Sequence, residues 1–98
     1  MDNLTRELNT FLVSLGMNPE ATGHDMEHKM EHLLHLLQPD DEQAIVDYYG
    51  LFGTPRRSLA ELASDHGLKE EDMMAAIDIC VRRLAVTPEW QQMKSEAK

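Results

Sequence analysis

The sequence predicts an all-α fold of five or six helices. Leu and Met are plentiful while β-branched residues are few. Apolar residues recur at three- and four-residue spacing along most of the chain. The five glycines and four prolines fall at the boundaries of those periodic segments. The 98 residues suffice for a single domain with a modest core.

Each helix has its own pattern. Leu4, Leu8, Phe11, Leu12 and Leu15 predict a first helix over 3–15, with Gly16 as its stop. Asn18-Pro19 reads as a turn, or the cap of one short helical turn. Met26, Met30, Leu33, Leu34 and Leu37 form the stripe of a second helix over 24–37. Pro39 closes that segment and opens a third helix over 40–49, with Ala44, Ile45 and Tyr48 inward. Asp40, Asp41 and Glu42 in its first turn suit the helix dipole. Residues 50–57 read as a loop. Thr87-Pro88-Glu89 starts a short last helix carrying Trp90 and Met93, followed by a frayed tail over 94–98. The domain divides into an N-terminal helical hairpin over 1–38, a core over 39–85 and a C-terminal segment over 86–98.

The most informative stretch is 58–84, which reads as a helix-turn-helix. Ser58 with Glu61 three residues on is a capping box. Leu59, Leu62 and Ala63 share one helical face, and Ala63 is small where two helices approach closely. Gly67 takes the positive φ of the turn, and Leu68 plugs the corner. Met73, Ala76, Ile77, Cys80 and Leu84 return to the same core.

From residue 37 onward this pattern resembles region 4 of bacterial sigma factors. Leu37-Gln38-Pro39-Asp40-Asp41-Glu42 and the exit Tyr49-Gly50-Leu51 match that family's leading helix. Ser58-Leu59-Ala60-Glu61-Leu62-Ala63, Gly67-Leu68 and Arg82-Arg83-Leu84 match its next three landmarks without a gap. The resemblance spans 37–84 and implies a transcription-associated protein of the bacterial cytoplasm. In that family, positions equivalent to Arg56, Arg57, Ser58, Arg82 and Arg83 can contact the DNA backbone.

The second motif helix departs from the family. Lys69 stands at its start where Ser or Thr usually caps. A helical wheel turns Glu71, Ala75, Asp78, Ile79 and Arg82 away from the core, with Asp72 beside them. Base readout favours Arg, Lys, Asn or Gln, and none of these precedes Arg82 on that helix. The face of Glu71, Asp72, Ala75, Asp78 and Ile79 is therefore expected to meet a protein: RNA polymerase, a sigma factor or another transcription regulator. Weak DNA binding through the arginines, helped by homodimer formation, is the alternative.

Charge argues in the same direction. The formal net charge is −9, and phosphate contacts usually need a basic surface. Residues 1–38 hold six acids and two bases (−4), and 39–98 hold twelve acids and seven bases (−5). Residues 56–84 hold five bases and six acids, so the motif is near neutral.

His24, His28, His32 and His35 project within about 80° of one another, opposite the Met26/Met30 stripe. A histidine pair at i, i+4 can chelate zinc or nickel. Protonating all four would add four positive charges below about pH 6. A metal- or proton-responsive face is the third reading. His66 is expected to be half-buried and Cys80 a small core hydrophobe, with Trp90 anchoring the last helix.

No cofactor and no catalysis are expected: the sequence has no nucleophile elbow, phosphate loop or Cys–His arrangement. One cysteine fits a reducing cytoplasm, and the opening Met1-Asp2-Asn3 has no basic or apolar signal pattern. No apolar run approaches the roughly 18 residues of a membrane span.

Overall fold

Seven helices are present among the described residues: α1 (Asn3–Met17), α2 (Pro19–Thr22), α3 (His24–Leu34), α4 (Pro39–Tyr49), α5 (Leu59–His66), α6 (Glu70–Ala85) and α7 (Pro88–Glu96). The computed structural model describes residues 3–96. Positions 1–2, read for an export signal, and positions 97–98 of the expected tail lie outside them. The described residues contain no strand, so the chain is all-α. α2 is the single turn anticipated at Asn18-Pro19, which leaves six longer helices. None is long and apolar enough to cross a membrane.

α6 is the hub. It lies against α1, α4, α5 and α7, and it buries Met73, Ile77, Cys80, Val81, Leu84 and Ala85. α4, α5 and α6 approach one another pairwise. The principal approaches of α1 are to α2, α4 and α6, and those of α3 are to α2 and α7. The N-terminal helices thus wrap separate parts of the rest, and the expected α1–α3 hairpin contact is not among the principal ones. Side chains from α1, α3, α4, α5, α6 and α7 nonetheless join one buried cluster.

Several local expectations are corrected. α1 continues through Gly16 to Met17. A Cβ at Gly16 would overlap the Tyr49 carbonyl oxygen, so the missing side chain serves a close crossing of α1 over the end of α4. The α1 stripe is Thr5, Leu8, Leu12 and Leu15; Leu4 is exposed and Phe11 half-buried. α3 ends at Leu34 rather than 37. His35, Leu36 and Leu37 donate instead to carbonyls three residues back, a tighter turn that Pro39 then terminates. In α4 the buried tyrosine is Tyr49, whose hydroxyl donates to Asn9 Oδ1 on α1. Tyr48 is half-buried, with its hydroxyl against Met74 Sδ at 3.6 Å.

α7 extends over positions expected to fray. Its Thr87 Oγ1 accepts from the Trp90 N–H at 3.2 Å, while the same hydroxyl donates to the Leu84 carbonyl. Trp90 is buried edge-on against Phe11 at 5.4 Å, and Lys94 pairs with Glu7 at 2.9 Å. Both contacts tie α7 to α1.

Candidate interaction surface on the second motif helix

The turn that aims α6 is built from local bonds. Ser58 Oγ accepts from the Glu61 N–H at 3.1 Å, and the Glu61 carboxylate accepts from the Ser58 N–H at 3.4 Å. This capping box starts α5 as the sequence predicts. At the other end Leu68 N–H donates to the Ala63 carbonyl at 2.8 Å and Gly67 N–H to Ser64 at 3.2 Å. That is a Schellman closure, with Gly67 at φ +68°. Three residues, 67–69, therefore separate α5 from α6. Leu68 does not plug the corner: it is 43% exposed, though it edges a small cavity of about 100 Å³ beside Ala44, Met73 and Cys80. His66, expected to be half-buried, is exposed too, at the last position of α5 and on the rim of the same cavity.

Lys69 stands at the N-cap of α6, and its side chain makes no capping bond. Glu70, Glu71 and Asp72 occupy its first turn and complement the positive end of the helix dipole. Beyond that turn the buried and half-buried residues cover well over half of the circumference. Glu71, Asp72, Ala75, Ile79, Arg82 and Arg83 remain exposed, on an arc of about 120°. Ile79 at its centre is 54% exposed. Asp78 was expected on this strip but is half-buried at its edge. Its charge, after burial and Tyr48, helps to push the Tyr49 phenol well above its ordinary pKa.

The arginines divide into two sets. Arg57 Nη1 reaches Asp65 at 2.6 Å and Asp47 at 4.0 Å, and its Nε lies 3.8 Å from Glu61. Its backbone N–H also donates to the Asp47 carbonyl at 2.9 Å. Arg57 thus clamps the loop to α4 and α5, and the Asp65 bond raises its pKa further. Ser58 is committed to its cap. Arg56, Arg82 and Arg83 are exposed. Arg82 lies about 15–18 Å along the helix axis from the first-turn acids. Sequence reading assigned Arg57 to the DNA backbone and missed this cluster, although Glu61 and Asp65, four and eight residues on, were a signal that could have found it. Asp47 comes from α4 and has no local signal.

Cys80 is buried on the inner face of α6 as expected. Burial, and then the charge of Asp41, push its thiol up. It is a packing residue and not an activated nucleophile.

No family model, curated protein or solved structure matches this chain.

The four α3-side histidines are all exposed. His28 and His32 approach each other with Nε2 atoms 3.3 Å apart. His35, in the tightened turn, leaves them to pair its Nδ1 with Glu42 on α4 at 2.6 Å. Among the described residues no three His, Cys, Asp or Glu side chains converge on a common metal position. Sequence reading missed a groove of about 300 Å³ between α3 and α7, lined by Lys29, His32, Leu33, Leu36, Glu89 and Met93.

Proposed function

We propose that this chain is a transcription-associated interaction module, cytoplasmic and non-catalytic, that holds a protein partner on the outward strip of α6. The partner class is RNA polymerase, a sigma factor or another transcription regulator. The resemblance of 37–84 to sigma region 4 supplies the biological setting. The observation that carries the reading is the strip itself. Ile79 stands exposed beside Ala75, Glu71 and Asp72 form an acidic rim, and no base-reading side chain precedes Arg82. An apolar centre with a polar rim is the anatomy of a protein interface. The first turn of a recognition helix normally enters the groove, and here that turn bears three carboxylates.

Weak DNA binding is the second reading, favoured by the exposure of Arg56, Arg82 and Arg83. Three phosphate contacts would give a salt slope of about −2.7 with modest affinity.

Binding of the purified chain to RNA polymerase core, to free sigma factor and to promoter-like duplex separates the two. Ile79→Lys should weaken polymerase or sigma capture about tenfold, as expected for a central contact, and Glu71→Lys on the rim should weaken it by less. Capture unchanged by both would remove this face. Salt-sensitive amide shifts on duplex, lost in Arg82→Ala with Arg83→Ala, would establish the DNA reading instead.

A further inference from the structure

The α3 histidines form a site that the proposed function does not use. His28 and His32 sit one turn apart on an exposed face, and their rings meet edge to face with centroids 4.7 Å apart. The Nε2–Nε2 separation of 3.3 Å sets the chemistry. Two imidazole nitrogens bound at 2.0–2.1 Å to one tetrahedral ion stand about 3.3–3.4 Å apart. A square-planar ion, with a right angle between them, would bring them to about 2.9 Å. The pair therefore has the bite of a tetrahedral ion before any ion arrives.

We propose that His28 and His32 form a two-imidazole chelate for zinc or a zinc-like divalent transition ion. Both rings bind as neutral bases through Nε2, each with its proton on Nδ1. In the free protein the two Nε2 atoms share a 3.3 Å hydrogen bond; on binding, the donor ring shifts its proton to Nδ1 and both Nε2 lone pairs turn onto the metal. Nitrogen donors exclude the hard cations magnesium and calcium, which take oxygen. His24 lies one turn before His28, and His35 is drawn off by Glu42, so neither completes the set. Among the described residues no third protein donor converges, and water fills the remaining positions. The ion would staple one turn of α3 next to the α3–α7 groove, which His32 also lines.

The test uses tag-free full-length protein, titrated with zinc chloride and, separately, magnesium chloride. Imidazole ¹H–¹⁵N spectra and backbone amide spectra are the readouts. Zinc should move the His28 and His32 ring signals together with one-to-one saturation, and magnesium should move neither. His28→Gln and His32→Gln should each weaken zinc binding at least tenfold, while His24→Gln should leave it within twofold. Amide exchange in α3 should slow in the presence of zinc. Absence of ring shifts up to millimolar zinc overturns the proposal. So do shifts that survive in the double variant of His28→Gln and His32→Gln. All three positions are exposed, and matching circular dichroism spectra will show that the variants keep the fold.

Discussion

Gly16 is the residue on which the packing of α1 most depends. Elsewhere in a helix interior, replacing Gly by Ala gains up to about 1 kcal/mol. Here the added methyl meets the Tyr49 carbonyl, a backbone atom that no rotamer change can move aside. Gly16→Ala should therefore destabilise the fold by about 1–2 kcal/mol net, as overpacking outweighs propensity. A urea midpoint equal to or above that of the native chain would show that α1 and α4 do not cross so closely. Cys80 and Tyr49 carry a second prediction, on alkaline pH. Burial raises the thiol above its ordinary 9.0 and the phenol above its ordinary 10.0. Above those values the unfolded chain releases its protons before the folded chain does, so it binds fewer. Stability is then fully present below about pH 9 and falls as pH rises. Cys80→Ala should flatten the fall between about pH 9 and 10, read from urea curves at each pH. Parallel curves for the two proteins would place the thiol outside the core.

The two ends of the tight turn make a controlled pair at the level of helices. α5 starts on a full capping box, whereas α6 starts on Lys69 with no side-chain cap. Ser58→Ala should cost about 0.5–2 kcal/mol and open the first turn of α5 to amide exchange. Lys69→Ser should add up to about 1 kcal/mol at the start of α6. Opposite signs are the diagnostic outcome, and a neutral Ser58→Ala would mean the box is not formed in solution. These elements were also the most readable ones. Capping box, glycine turn and 3.6-residue periodicity are local signals, and α4, α5, α6 and α7 began where those signals lie. Legibility failed where a distant element decided the outcome. Gly16 looks like a helix stop because a stop and a close crossing both require glycine. Thr5 displaced Leu4 from the core because the rotation of α1 is set by α4 and α6, not by its own apolar count. The third partner of Arg57, Asp47, and the departure of His35 toward Glu42 both arise from α4. A one-dimensional pattern carries no information about either.

In the whole molecule, α7 packs on α3 and α6 and reaches α1 through side chains. Two contacts tie α7 to α1, and they are unequal. The Lys94–Glu7 pair joins a half-buried lysine to an exposed carboxylate, and pairs open to solvent on one side contribute about 0–1 kcal/mol. Trp90 is buried against Phe11 and sits in the central apolar cluster. Trp90→Ala should cost about 3–5 kcal/mol, while Lys94→Ala should stay within about 1 kcal/mol of the native chain. Thermal denaturation followed by circular dichroism measures both. Equal losses would shift the weight of this junction from packing to charge. The net charge of −9 surrounds the molecule with a field that attracts cations and repels anions.

Trp90 also gives the molecule an optical property. It is the sole tryptophan, and its indole N–H is buried without an acceptor among the described residues. A fluorophore so shielded from water emits toward the blue, and no second indole dilutes its signal. Any partner or ion that pries α7 from α1 will hydrate the ring and move its emission to longer wavelength. One that binds the strip on α6 and leaves the junction shut will leave the colour unchanged.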